Sequence, residues 1–193
     1  MQDRVYPNPH RIKGVTMKRI PGVLSLTLLL GSLWFAPALA QLPEVGKPAP
    51  DFTLMDLDGE LQYTLSALQD SSVVYLDFWA SWCGPCRRAF PEVMKLYEEY
   101  SEQGLEVLAI SLDRSEGPAK QFIKKQGSEF PALIDVGAKV ARIYGASSIP
   151  TTVIVAPDGT VAYAAVGFDP RKMTEIRNVI EGLLAEIPSD ETE

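Results

Sequence analysis

Cys83 and Cys86 are the only cysteines in the chain, and they lie three positions apart in Trp82-Cys83-Gly84-Pro85-Cys86. That spacing admits three chemistries: a redox dithiol, half of a zinc site, or two inert core residues. A structural zinc needs four ligands, and after Ala40 there is neither a third cysteine nor a histidine, the sole histidine being His10. Inert packing fits poorly, because the pair sits where an apolar strand-like run gives way to a helix. At a helix start, unpartnered backbone N–H groups and the helix dipole favour an anion, so the Cys83 thiolate should be stabilised and its pKa should fall. Cys86, one turn on, lies on the same helix face, where Cβ atoms are roughly 5–6 Å apart before local bending closes a disulfide. Gly84 leaves room for a partner backbone, and Pro85 suits the first helical turn.

Asp77 stands in the apolar run Val73-Val74-Tyr75-Leu76-Asp77-Phe78, where a buried carboxylate is costly and its pKa is expected to rise. Such a carboxyl can take the proton of Cys86 when that thiol attacks a mixed disulfide. The alternative is a strand-end Asp facing solvent or paired with a lysine. Ile149-Pro150-Thr151 follows a Ser-Ser turn and precedes the apolar run Thr151 to Val155. Proline before a strand is usually trans, but a cis bond here would place the loop against a neighbouring site, and the residues alone leave both isomers open.

The positioning elements follow from hydrophobic period. Val73–Phe78 reads as a central strand covered on both faces, and Leu105–Leu112 as the next buried strand. Short strands at 52–54 and 61–65 flank Asp58-Gly59, and strands at 151–155 and 161–166 flank Pro157-Asp158-Gly159, both hairpin signals. Helical spacing is seen over 88–103, bent at Pro91 and closed by Gly104, and over 118–126, ending at Gly127. A short strand at 132–134, a short helix at 136–144 and an amphipathic helix at 171–187 complete the order. Alternating strands and helices followed by a hairpin and a last helix imply an α/β fold, a mixed central sheet flanked by helices on both faces.

The first 40 residues differ from the rest. Lys18 and Arg19 precede the 21 uncharged residues Ile20 to Ala40, which end in Ala38-Leu39-Ala40, the layout of a secretory signal peptide, with Met17 a candidate true start. The same stretch is long enough for an uncleaved membrane anchor; Pro37 and the small residues favour cleavage. Residues 41–193 then form one domain, large enough to need no structural disulfide. They carry 13 Lys plus Arg against 24 Asp plus Glu, a net of −11, which disfavours a nucleic-acid partner. Without histidine that domain has no Cys-His nucleophile pair and no His-based metal site, and no cofactor is expected.

The run Phe78-Trp79-Ala80-Ser81-Trp82-Cys83-Gly84-Pro85-Cys86, with Asp77 before it and Ile149-Pro150-Thr151 after it, resembles the thioredoxin superfamily. The resemblance covers about Gly46 to Leu184. The opening Gly46-Lys47-Pro48-Ala49-Pro50-Asp51-Phe52 and the long gap from Cys86 to Pro150 resemble its exported TlpA/ResA-like branch. It implies a thioredoxin fold with an N-terminal hairpin and a central insertion, Cys83 as attacking thiol, Cys86 as resolving thiol and Pro150 as a cis proline beside them. It also implies an extended substrate pairing with the backbone at Ile149 and contacting Trp82, Gly84 and Pro85. Implied partners are disulfide-containing proteins and a membrane thiol-electron carrier, in a periplasmic or other extracytoplasmic compartment.

Departures from the branch are visible. Ala89 stands where its exported reductases often carry glutamate, Asp77 where they often lack an acid, and Thr151 where cytochrome-maturation members tend to have glutamate. Gly-Pro between the cysteines is the dipeptide of reducing thioredoxins. A peroxidase, the alternative enzyme, would use a lone cysteine with Thr three residues before it, where this chain has Ala80. A binding module with a structural Cys83–Cys86 bridge is the non-enzymatic alternative.

Overall fold

The computed structural model describes residues 41–187. The signal-peptide, anchor and Met17-start expectations fall on residues outside that range.

Val73–Trp79 (β3) is buried at all its positions, so its backbone groups need strands on both edges and its side chains need cover on both faces. On one edge Leu105–Ser111 (β4) pairs parallel to it, with Ala132–Ile134 (β5) parallel beyond. On the other edge Thr151–Val155 (β6) pairs antiparallel, followed by Val161–Val166 (β7). The five-stranded order is therefore β5-β4-β3-β6-β7, a mixed sheet, and Thr53–Met55 (β1) and Gln62–Thr64 (β2) form a separate antiparallel hairpin.

The two-residue period of β3 divides the interior into two layers. Val73, Tyr75 and Trp79 pack with Phe90 and Val93 of Gly84–Tyr100 (α1), Phe122 of Glu116–Gln126 (α2) and Ile176 and Ile180 of Met173–Leu184 (α4). Val74, Leu76 and Phe78 pack with Phe52, Leu65 and, from Lys139–Ile143 (α3) and its end, Val140, Ala141 and Tyr144. Under α1 the rings of Trp79, Phe90 and Phe122 meet at centroid separations of 4.8–5.5 Å. A fully buried ring such as Phe90 contributes roughly 1.5–3 kcal/mol, so this cluster fixes where α1 sits on the sheet.

Helix α2 starts two residues earlier than expected, at Glu116, and the other three helices differ for local reasons. Helix α1 starts at Gly84 rather than Arg88, because Cys83 caps it, and its expected tail is a 3-10 turn over Ser101–Gln103. Helix α3 is confined to Lys139–Ile143: Gly137 and Ala138 take left-handed backbone (φ 80° and 53°), and the Asp135 carboxyl accepts from the N–H groups of Lys139 and Ala141. Residues Pro170–Lys172 form a 3-10 turn capped by Asp169, so α4 begins at Met173 and ends at Leu184. Pro91 lies within α1. The long stretch between Cys86 and Pro150 holds β4, α2, β5 and α3. Gly145, just past α3, has φ +61°, and any Cβ there would run into the Gln41 carbonyl and come within 2.8 Å of the Leu42 nitrogen. The chain leading into the domain is thereby laid across this glycine.

Candidate active site

Strand β3 ends at Trp79, and four residues later Cys83 occupies the N-cap of α1 in an extended conformation, φ −81° and ψ 107°. Its Sγ accepts from the Cys86 backbone N–H at 3.1 Å, so the sulfur takes the place that a Ser or Asp oxygen fills in ordinary caps. Gly84 and Pro85 form the first turn, where the missing proline N–H costs nothing. Cys83 and Cys86 are joined as a disulfide, with Cα atoms 5.3 Å apart. Both are nearly buried, at 4% and 2% exposure, while Trp82 beside them is 67% exposed and Gly84 and Pro85 are also open to solvent. The rim is thus ready for contact, with the sulfurs just behind it.

Polar contacts fix the turn between β3 and α1 from both sides. The Asp113 carboxyl, 3% exposed, accepts from the Ser81 N–H at 2.9 Å, the Ser81 hydroxyl at 2.8 Å and the Ser111 hydroxyl at 2.9 Å. The Arg87 guanidinium donates to the Ser81 carbonyl at 3.0 and 2.7 Å. Ser81 is therefore held at N–H, hydroxyl and carbonyl, two residues before the capping sulfur. Asp113→Ala leaves these donors without an acceptor and is expected to destabilise the fold by about 3 kcal/mol, measured as a lowered denaturant midpoint of the oxidised protein. An unchanged midpoint would mean that water replaces the carboxyl at no cost.

The Ile149–Pro150 bond is cis. The loop is tied down by the Thr151 hydroxyl donating to the Ser148 carbonyl at 2.6 Å and by the Gly167 N–H donating to the Pro150 carbonyl at 2.7 Å. The Ile149 carbonyl oxygen lies 3.7 Å from Cys83 Sγ. Ile149 and Pro150 are thus brought to the cysteine pair, although 66 residues separate Ile149 from Cys83.

Asp77 is 3% exposed, in register with Ala109 on β4 and Thr152 on β6. The solvent-facing alternative is ruled out by that burial, and neither strand neighbour is a lysine. By the alternation of β3 its side chain faces the layer that α1 covers, with Tyr75 and Trp79. Burial alone pushes its pKa up, to about 7. The Tyr75 phenol is also pushed well above its ordinary value, by its burial and then by the nearby Asp77 charge, and its hydroxyl is 3.1 Å from that of Thr152. Tyr75, Thr152, Ala89, Val93 and Pro150 line a cavity of about 20 Å³, room for one water.

Sequence reasoning singled out Cys83, Cys86, Asp77, Trp82, Gly84, Pro85, Ile149 and Pro150 and missed Ser81, Asp113, Tyr75 and Thr152. The one available signal was an acid, Asp113, just after a buried strand. Among the described residues, no group of three or more His, Cys, Asp or Glu is placed to hold a metal ion.

Comparison with known proteins bears on this arrangement. The AhpC/TSA family model matches residues 45–164. The thiol-disulfide oxidoreductase ResA of Bacillus anthracis is 33% identical over 156 residues, spanning 81% of this chain and 87% of its own length. The protein of the same name from Bacillus subtilis is 34% identical over 122 residues, 63% of this chain and 67% of its own. A crystal structure from Chlorobium tepidum, assigned as the thiol:disulfide interchange protein DsbE, superposes with a TM-score of 0.69 at 37% identity, covering 74% of this chain and 99% of that one. A solution structure from Bacteroides thetaiotaomicron, assigned as a protein disulfide isomerase, gives 0.71 at 28% identity, covering 77% and 94%.

Proposed function

The chain belongs to the AhpC/TSA family and is a thiol-disulfide oxidoreductase, a class acting on disulfide-containing proteins, and from that premise we propose that it is an exported reductase. The observation that carries the reading is the sulfur of Cys83 at the N-cap of α1, hydrogen-bonded by the Cys86 N–H behind an exposed rim. In the reduced protein that N–H and the helix dipole stabilise the Cys83 thiolate.

The thiolate attacks one sulfur of a substrate disulfide, giving a mixed disulfide and a substrate thiolate that takes a proton from solvent. The Cys86 thiol then gives its proton to Asp77 and attacks the Cys83 sulfur. The Cys83–Cys86 disulfide forms, the second substrate thiolate leaves and is protonated, and the two electrons of the protein dithiol now reside in the substrate. During the mixed-disulfide stage the substrate backbone pairs with Ile149, against Pro150, and rests on Trp82, Gly84 and Pro85. Export is supported by Lys18-Arg19 followed by the uncharged stretch to Ala40. In an oxidising compartment the dithiol must be restored, which calls for a membrane thiol-electron carrier.

The test is the reduction potential of the Cys83–Cys86 couple, read after equilibrating the protein with thiol buffers. The expected value lies near −270 mV, the thioredoxin range; a value near −120 mV would make the protein an oxidant, and a bridge that resists reduction in the native state would make it structural.

A further inference from the structure

Residues 41–193 are strongly acidic, yet six of their 13 cations fall in two short segments, Arg87 and Arg88 just after the cysteines and Arg114, Lys120, Lys124 and Lys125 on and before α2; Lys120 and Lys124 turn to a cavity shared with Asp58, which leaves Arg87 and Lys125 to one groove. The acids in 81–88 and 113–126 are Asp113, buried beneath Ser81, and Glu116. The structure brings the two segments together. A groove of about 380 Å³ runs between the start of α1 and the outer face of α2, lined by Ser81, Arg87, Pro118, Gln121, Phe122 and Lys125. Its wall is continuous with the active site, since Ser81 and Arg87 bracket Trp82 to Cys86 in the chain.

The cations of this groove are not consumed internally. Among the described residues the ion pairs are Lys95–Glu92, Lys120–Asp58, Arg171–Asp169 and Arg177–Glu99, so Arg87 and Lys125 have no carboxylate within 4.0 Å. Arg87 holds the Ser81 carbonyl through Nε and one Nη, and its other Nη makes no hydrogen bond among the described residues. A polypeptide whose disulfide is attacked by Cys83 has a flank on the side away from Ile149, toward α2, free to lie over this region. Arg87 lies four residues, about 6 Å of helix rise, beyond Cys83. An extended substrate advances about 3.3 Å per residue, so side chains two to four positions from the attacked cysteine come within reach.

We propose that this groove is a docking surface for acidic side chains flanking the disulfide of a polypeptide substrate, so that the enzyme selects substrates by the charge beside their cysteines. The inference rests on the reductase reading above and deepens it. Elsewhere the acidic surface repels such segments, so the groove both attracts the right flank and sets its orientation.

Three peptides with the same internal disulfide, flanked by two Glu, two Gln or two Lys, distinguish the outcomes. Each second-order rate with the reduced protein is divided by that of the same peptide with dithiothreitol, which removes the flank's effect on intrinsic reactivity. The Glu peptide is expected to exceed the Lys peptide by about tenfold at low ionic strength, falling toward parity near 1 M salt. Lys125→Glu should shrink or reverse that ratio, whereas Lys47→Glu, the same charge change beside Val161 of β7 at the opposite edge of the sheet, should preserve it. Equal normalised rates, or a ratio indifferent to salt and to Lys125→Glu, overturn the proposal while leaving the reductase reading intact. Failure to reduce any of the three peptides overturns both. If instead Lys125→Glu abolishes a concentration-dependent self-association seen by sedimentation and leaves the ratio unchanged, the groove binds a second copy and the proposal falls.

Discussion

A protein carrying Cys86→Ser is expected to remain covalently attached to its substrate, with steady-state turnover lower by roughly a thousandfold or more. Cys83 still attacks, because its environment is intact: the capping contact comes from the backbone N–H of residue 86, which serine retains. A serine hydroxyl is a far weaker nucleophile toward sulfur than a thiol, so the mixed disulfide is not resolved and accumulates. Intact-mass measurement under non-reducing conditions should find the adduct on Cys83, released by dithiothreitol. Cys83→Ser should give neither turnover nor adduct, because Cys86 lies inside α1, behind Gly84 and Pro85, without the N-cap position that stabilises the Cys83 thiolate. An adduct on Cys86 in that protein would reverse the assigned roles of the two thiols.

The parts of this site written in contiguous residues could be read from the sequence. The run Val73 to Phe78 announces a doubly covered strand, and Cys83 to Cys86 a dithiol at the helix that follows. Apolar period marks that helix only from Arg88, because Gly84-Pro85-Cys86 has none, whereas the chemistry of the thiol and the fit of Pro85 to a first turn already point to a start at Cys83, which the capping contact bears out. Residues whose roles depend on distant partners were harder to see. Asp113 reaches Ser81 across 32 positions, and Tyr75 reaches Thr152 across 77; each looks locally like an ordinary strand or loop residue. The cationic groove belongs to the same class, since Arg87 and Lys125 become neighbours only once α2 packs Phe122 against Trp79. Helix α3 was read too long for a different reason: apolar spacing extends across Gly137 and Ala138, but their left-handed backbone prevents the helix from starting before Lys139.

Asp77→Asn is expected to make the protein more stable and the enzyme slower, a combination that ordinary packing damage does not produce. Burial holds the Asp77 pKa at about 7 in the folded state, against 3.8 for a free aspartate side chain. The folded protein therefore keeps a proton that the unfolded chain has lost, and between these two values stability falls as pH rises. About three units at 1.36 kcal/mol each give a loss of roughly 4 kcal/mol, complete above pH 7 and absent below the unfolded value. Asparagine has no charge to bury, so the variant should gain up to roughly that amount over wild type at pH 8–9 and little at pH 4, read from denaturant midpoints at each pH. The kinetic effect has the opposite sign. With no carboxylate to take the Cys86 proton, resolution of the mixed disulfide should slow by about a hundredfold near pH 7.5, and the gap should narrow as hydroxide takes over at higher pH. A stability gain with an unchanged resolution rate would leave Asp77 buried but idle. Stability curves for the two proteins that run parallel from pH 4 to 9 would mean that the carboxyl is not held protonated at all, and would remove it from the proton path.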